Sequence, residues 1–499
     1  MNLSDIRTKN KHRLPIFLII SVYTFMFLHC LLVNDINHQE YLSNDLRFNI
    51  HLFRSVFDDP LQFNTALPVP GDDLFEVGEI YAGYTFAKYH FFLAILTKVF
   101  ILAGFSYTPA LQLSFFLYNG FFTFIALLFC FLILKRLFNK EYAFIGLLIF
   151  AFHSQSLRFF TRFLPDVAVL SFTLISIYGF LLYLTSEEDK KYYKYLILGS
   201  LGIGFKISAF IPFYLILFFI FILKDYKDAV YIFFISVFLN FEVFFTREGW
   251  ARILIPLDSS EWFDRSGVVA NKDDLSNQWL SINFDNVLGI DSQSNALSLS
   301  IRGLFISNYR NYELFNNLIF VITFSLFIIS IYYFAKNVNK LPVRLKIFYF
   351  YIFLVSVLSL FGSYLNTRDL YAGSPIKYRW IMWVLFFVVL IYINFFSIVN
   401  LNKYLINGFL IFFIAAHIYE AQTAIAEAEV YSFYSSISSY IDVLTKKYFL
   451  VLFAIAIVTG ASIVSSYIDV LTKKYFLVLF AFFGSMIFVS GRLLYLLNL

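Results

Sequence analysis

The chain has 499 residues, of which 60% are hydrophobic and only 14% charged, with a net charge of +5 at pH 7. No soluble core needs that much apolar surface, so the composition excludes a soluble globular protein and predicts an all-α polytopic membrane protein. The small net charge gives no sign of nucleic-acid binding, because most Lys and Arg residues flank apolar runs. Both cysteines, Cys30 and Cys130, lie inside apolar runs, which gives no hint of a disulfide framework or a thiolate metal site.

Apolar segments long enough to span a bilayer recur along the chain. The predicted spans are 14–33, 111–134, 141–157, 167–184, 229–246, 316–334, 347–364, 380–396, 404–419, 449–464 and 475–498. The basic residues before the first span place the N-terminus in the cytoplasm by the positive-inside rule. The same rule predicts that four basic connections all face the cytoplasm. They are 135–140, 189–194, 224–227 and 336–346.

The stretch LILGSLGIGFKISAFIPFYLILFFIFIL (196–223) carries a single charge, Lys206. If it crosses the membrane once, the basic connections on its two sides face opposite compartments; if it is a broken hairpin, both are cytoplasmic. Gly202, Gly204 and Pro212 supply the means to break a helix. We favour the hairpin, which gives about 13 transmembrane helices and puts Lys206 at a tip below the outer surface. A single long tilted helix is the alternative.

This topology leaves two large loops outside, 34–110 and 247–315. The first opens with Asp35 and Glu40 directly after the first span. It also contains the apolar stretch 89–105, which is too short to count as a span and predicts a helix lying in the outer interface.

Smaller outer segments add charges near the membrane. The loop 154–170 carries Arg158, Arg162 and Asp166, and Arg379 lies in a further polar segment. These cations could line one outer cavity together with Lys206. Carboxylates at the mouth of a cavity and cations at membrane depth suit a lipid-linked phosphate.

The C-terminal part contains a tandem duplication. The peptide SSYIDVLTKKYFLVLFA occurs at 438–454 and again, letter for letter, at 465–481. Solenoid repeats drift and need several copies, so this duplication is of another kind, and we assign it no function. The chain is therefore divided into a transmembrane domain (1–420) and C-terminal transmembrane helices (421–499).

Five features follow one another along the chain: an acidic first outer loop, the run YTFAKYHFFLAILTKVF, a span ending in KRLFNK, the segment SLRFFTRFLPDVAVLSF and the segment LGSLGIGFKISAFIPF. In this order they resemble the GT-C glycosyltransferases. The similarity is to the bacterial relatives of protein mannosyltransferases and of the lipid A aminoarabinose transferase, over residues 14–400. It implies a GT-C-like fold in a bacterial inner membrane and an enzyme of the EC 2.4 type. Such an enzyme moves a sugar from a polyprenyl-phosphate donor to a protein, lipid A or envelope glycan on the periplasmic face.

The resemblance also implies roles for individual residues. Glu40 would be the general base, with Asp35 as the alternative, and Asp166 the second acidic residue. The donor phosphate would be held by Lys206, Arg158, Arg162 and, as an assistant, Arg379. The family's usual Asp-Glu pair in the first loop is replaced here by Gln-Glu, which weakens the match at the base.

No cofactor is assigned. Some GT-C members use a divalent metal ion and others do not, and no residues here have clear metal-ligand spacing, so no metal ligand is named.

Two other functions fit the same composition. An O-antigen or polysaccharide polymerase shares the many spans, a large outer loop and outward Arg residues. Its chemistry would lie in 247–315, with Arg247, Arg252, Arg265 and Arg302. A non-enzymatic transporter of lipid-linked sugar predicts internal pseudo-symmetry between two halves, which the first 420 residues do not display.

Overall fold

The computed structural model describes residues 87–160, 164–185, 192–223, 225–240, 243, 301–306, 314–368, 378–399 and 403–426. All regular structure in these ranges is helical. The α-helices are α1 Ala87–Leu102, α2 Tyr107–Leu137, α3 Lys140–Phe152, α4 Ser154–Phe160, α5 Asp166–Thr185, α6 Tyr192–Ser200, α7 Gly202–Phe205, α8 Phe210–Ile222, α9 Tyr226–Leu239, α10 Leu314–Asn337, α11 Val343–Arg368, α12 Tyr378–Val399 and α13 Lys403–Ala426. Short 3-10 turns at Ile207–Ala209 and Val338–Lys340 join α7 to α8 and α10 to α11.

Within the described residues, four helical segments are long and apolar enough to cross a bilayer: Pro109–Leu137, Asp166–Thr185, Asn316–Lys340 and Met382–Val399. Together with the composition, they define an all-α membrane protein that crosses the bilayer several times. The predicted total of about 13 spans stays a prediction, because the segments 14–33, 449–464 and 475–498 lie outside the described residues.

Helix α5 occupies the centre of the described bundle, with most of its side chains buried. Helices α2 and α6 pack along it, and α6 approaches closely because it carries glycine where the two backbones meet. A Cβ built on Gly199 would lie 1.9 Å from Ser176 Oγ and 2.8 Å from the Phe172 carbonyl oxygen. Only glycine therefore fits at this crossing.

The stretch 196–223 forms the predicted hairpin. Helix α6 runs antiparallel to α5, the chain turns at residues 201–209, and α8 returns. A contact just after α8 shows that the chain has returned to the end of the bundle where α6 begins: the Tyr183 hydroxyl, near the end of α5, donates a hydrogen bond to Asp225. The Tyr192 hydroxyl at the start of α6 likewise donates to Asp228. Both ends of the hairpin thus lie at the same end of the bundle, and the single tilted helix is wrong.

The described parts of the four basic connections lie at that same end, which agrees with their predicted placement on one side of the membrane. Arg136, at the end of α2, donates through Nε to Thr185 Oγ1 over 3.1 Å. Arg344, at the start of α11, donates to the Leu184 carbonyl over 3.4 Å. We call this end, defined by Arg136, Arg344 and the Tyr192–Asp228 contact, the basic end.

The opposite end of α5 begins at Asp166, and we call it the site end. Helix α5 has 20 residues, which at a rise of 1.5 Å each makes it about 30 Å long, close to the thickness of a bilayer's hydrocarbon core. Helix α2 has 31 residues and is about 46 Å long, so it extends well past the start of α5. Helix α1 packs against this extension, where Thr97 Oγ1 donates to Ser114 Oγ over 2.9 Å.

One predicted span is interrupted in the structure. The segment 141–157 was expected to be one helix, but α3 ends at Phe152 and α4 starts at Ser154. The ring Nδ1 of His153 accepts the backbone N–H of Gln155 over 3.2 Å. A side chain that binds the local backbone in this way competes with helical hydrogen bonding, so the helix stops there without glycine or proline.

Candidate functional site

Lys206 and Asp166 form an ion pair at the site end. The Lys206 Nζ lies 2.7 Å from Asp166 Oδ1, and the side chains are only 12% and 7% exposed. The two residues are 40 positions apart in sequence and come from the hairpin tip and the start of α5. The structure gives Lys206 a protein partner, the carboxylate of Asp166, and its contact with a lipid phosphate stays a prediction.

Local backbone geometry presents Lys206 to the carboxylate. Helix α7 ends at Phe205, and Lys206 has extended backbone (φ −167°, ψ 140°) before the next turn begins. Gly202 lets the tip pass close to α5, since a Cβ there would lie 2.9 Å from the Phe172 side chain. The glycine-rich sequence around the tip therefore brings the lysine to the level of Asp166.

The pair keeps unused hydrogen-bonding capacity. A lysine ammonium has three N–H donors, and among the described residues Asp166 is the acceptor that the Lys206 Nζ contacts. Asp166 Oδ2 is buried and has no hydrogen-bond partner among the described residues. The site can thus offer two N–H donors and one carboxylate oxygen to a ligand that carries both anionic oxygens and a hydroxyl group.

Two buried tyrosines flank the pair, and the sequence analysis did not single them out. The Tyr118 hydroxyl donates to the carbonyl of Pro165, next to Asp166, over 3.4 Å. The Tyr89 ring packs edge-on against the Tyr118 ring, with centroids 4.9 Å apart. A polar group in a lipid-spanning helix is itself a signal of function, but tyrosines are common throughout this chain and do not stand out.

A lysine on α1 links this helix to α9 and to the hairpin. Lys88 Nζ donates to the Leu239 carbonyl over 2.6 Å and to Asn240 Oδ1 over 2.8 Å. The Asn240 amide donates in turn to the Ser200 carbonyl over 3.0 Å. These bonds join the beginning of α1 to the ends of α9 and α6, and so hold the hairpin next to α1.

The other predicted site residues are not brought to the pair by described contacts. Asp35, Glu40 and Arg162 lie outside the described residues. Arg158 lies in α4 and Arg379 in α12, but their side chains are outside what the structure describes. Their assignment to the phosphate or to the general base stays a prediction.

A second polar cluster lies where α3, α4 and α13 meet. The rings of His153 and His417 stack with centroids 4.4 Å apart, and His417 Nδ1 lies 3.5 Å from Glu420 Oε2. Both side chains of the His417–Glu420 pair are fully buried. The part of the chain that the structure describes contains no group of three metal-binding side chains suited to a metal ion.

A piece of the second outer loop is docked beside this cluster. We call residues 301–306 the docked segment. The Gln155 amide donates to the carbonyls of Gly303 and Ile306, over 2.6 and 3.2 Å. Arg302 is fully buried, where its Nη2 contacts Asn317 Oδ1 and its guanidinium lies over the Phe320 ring. Arg302, one of the arginines that the polymerase alternative would use, thus holds the docked segment against α10.

Fold and site together define a multi-pass, all-α membrane protein with a buried ion pair about one bilayer thickness from its basic end. No family model matches the chain, and no curated protein matches it. Among solved structures, the archaeal oligosaccharyltransferase of Archaeoglobus fulgidus in its apo form is 13% identical, with a TM-score of 0.47, over 82% of this chain and 55% of that chain.

The same archaeal enzyme in complex with an inhibitory peptide and a dolichol-phosphate is 12% identical, with a TM-score of 0.45, over 82% of this chain and 55% of that one. The form of that enzyme tethered to an acceptor peptide is 12% identical, with a TM-score of 0.45, over 82% of this chain and 54% of that one. The chain thus spans about half the length of the proteins that it matches. A likeness of this size does not establish a fold or an activity for this chain.

Proposed function

We propose that this protein is a GT-C-type glycosyltransferase that moves a sugar from a polyprenyl-phosphate donor to an acceptor on the outer face of a bacterial inner membrane. The observation that carries the proposal is the buried Lys206–Asp166 pair at the tip of a broken hairpin. By the positive-inside rule, the basic end faces the cytoplasm and the site end faces outward, which puts the pair where a lipid-linked donor presents its phosphate.

The unused hydrogen-bonding groups of the pair suit this ligand. The remaining N–H donors of Lys206 can bind phosphate oxygens, and Asp166 Oδ2 can accept a hydrogen bond from a hydroxyl of the sugar or the acceptor. Ionic groups near lipid are costly, so a cation and a carboxylate kept at this depth favour a functional role over a merely structural one.

The reaction assigns further tasks to residues of this chain. The acceptor hydroxyl attacks the anomeric carbon and loses its proton to Glu40, or alternatively to Asp35, while the bond between that carbon and the phosphate oxygen breaks. The negative charge that develops on the departing polyprenyl phosphate is stabilised by Lys206 and by Arg158 or Arg162, with Arg379 as an assistant. The acceptor classes are protein, lipid A and envelope glycan.

Transfer of radiolabel tests the proposal. Purified protein in nanodiscs is mixed with radiolabelled polyprenyl-phosphate sugars and a cell-envelope fraction, and label in the envelope is counted. We expect Lys206→Met to abolish transfer, whereas Lys227→Met, an exposed lysine at the basic end, leaves it unchanged. Full transfer by Lys206→Met would refute the assignment of the site.

Replacing the proposed general base distinguishes the glycosyltransferase hypothesis from the transporter alternative. Loss of a general base typically lowers turnover about 10²- to 10⁴-fold. We therefore expect Glu40→Gln to bind donor as the wild type does but to transfer sugar at least a hundredfold more slowly, an estimate from the lower end of that range. A transporter would instead keep moving lipid-linked sugar across vesicle membranes when this substitution is made.

A further inference from the structure

Helix α2 places two neighbouring polar side chains against the segment that leads into Asp166. The Asn119 amide donates a hydrogen bond to the carbonyl of Phe160, the last residue of α4. The Tyr118 hydroxyl donates to the carbonyl of Pro165 over 3.4 Å. Phe160 and Pro165 lie on either side of residues 161–164, so adjacent residues of one helix hold both ends of this segment.

Tyr118 also contacts the lysine side of the ion pair. Its ring centroid lies 6.4 Å from that of Phe205, the residue before Lys206, while its hydroxyl binds the residue before Asp166. One buried side chain therefore touches the immediate neighbour of each ionic partner. The ring cannot move freely, because Tyr89 and Phe122 pack on it at centroid distances of 4.9 and 4.8 Å.

We propose that Tyr118 and Asn119 are positioning residues: they fix the separation of Phe160 and Pro165 and thereby align Asp166 with Lys206. The importance of this alignment for sugar transfer rests on the proposed function, whereas the alignment itself does not. A shift of about 1 Å in a reacting constellation can cost about a hundredfold in rate, so a residue that touches no substrate can still control turnover.

The chain supplies a matched control for Tyr118. Tyr351 is also fully buried, and its hydroxyl also donates to a proline carbonyl, that of Pro212, over 3.0 Å. This bond joins α11 to α8 and does not involve the ion pair. Tyr118→Phe and Tyr351→Phe therefore remove the same chemical group from the same kind of bond, at two places.

The first measurement does not depend on glycosyl transfer. Full-length protein in nanodiscs is treated with acetic anhydride, and acetylation of Lys206 is followed by peptide mass spectrometry. A misaligned carboxylate releases the Lys206 amine from its hydrogen bond and leaves it more accessible to the reagent. We therefore expect Tyr118→Phe to raise the acetylation rate about fivefold, the equivalent of one typical hydrogen bond. Tyr351→Phe should stay within about twofold of the wild type. Equal rates in both variants would overturn the proposal.

The second measurement is the transfer assay. We expect Tyr118→Phe and Asn119→Leu to lower kcat with little change in the KM for the donor. Asn394→Leu, which removes an amide that donates to the Tyr349 hydroxyl, serves as the control for Asn119. An equal loss of kcat in Asn394→Leu would show that general packing explains the effect, and would overturn the role of Asn119.

The two measurements separate the proposals. If no donor supports transfer by any variant, but Tyr118→Phe alone changes the acetylation of Lys206, the positioning role stands and the proposed function fails. If the wild type transfers sugar and Tyr118→Phe changes neither acetylation nor kcat, the positioning role fails and the proposed function stands.

Discussion

Removing one member of the Lys206–Asp166 pair should cost far more stability than removing both. At 2.7 Å and an effective dielectric constant of about 20, the attraction between the two charges is about 6 kcal/mol before desolvation is counted. Lys206→Met leaves a carboxylate that is only 7% exposed without its cation. Breaking a buried pair in this way costs about 3–5 kcal/mol, and we expect a loss of that size.

The double variant Asp166→Leu with Lys206→Met removes the uncompensated charge. Replacing a buried ion pair by apolar side chains is often neutral or stabilising. We therefore expect the free energy of unfolding of this variant to be at most about 1 kcal/mol below that of the wild type, or higher than it. Unfolding in SDS, followed by tryptophan fluorescence, measures the difference. Lys227→Met, on the exposed surface, should change stability by no more than about 0.5 kcal/mol.

One result for the single variant would contradict this electrostatic explanation. If Lys206→Met alone were as stable as the wild type, the pair would be hydrated in the membrane-embedded protein. The free N–H donors of the lysine would then be occupied by water, and the electrostatic basis of the site would be lost.

Three further predictions concern packing, docking and topology. Gly199→Ala should lower the free energy of unfolding by about 1–3 kcal/mol, because its Cβ would lie 1.9 Å from a serine hydroxyl on α5. Gly408→Ala, with open space around it, should not destabilise the protein, and SDS unfolding tests both variants. Gln155→Leu should speed hydrogen exchange in the docked segment, and unchanged exchange would contradict the docking contacts. Cysteines replacing Lys227 and Lys340 should react with an impermeant maleimide from the cytoplasmic side alone; labelling from opposite sides would refute a common basic end.

Charge placement predicted the hairpin correctly. Lys206 stands alone between two basic connections, and the positive-inside rule requires an even number of crossings between them. Its ionic partner was not predictable in the same way. Asp166 lies 40 residues earlier in sequence, and nothing local shows that two backbones approach closely enough to pair the side chains.

The residues that support the site were missed for a different reason. Tyr118 and Asn119 lie in a long apolar run, where a tyrosine is hard to distinguish from core packing. Their proposed positioning role follows from their carbonyl partners at Phe160 and Pro165, which the sequence does not show. The break at His153 was missed because a side chain that binds its own backbone gives no glycine or proline signal in the sequence.

The order of the two ionic partners along the chain has a consequence for biogenesis. Asp166 leaves the ribosome 40 residues ahead of Lys206, which at about 5–20 residues per second is an interval of about 2–8 s. A lone lysine entering the bilayer costs about 2.5–3.5 kcal/mol during translocon insertion. Asp166 is therefore synthesised before this lysine enters the bilayer, and pairing with it would offset part of that insertion cost.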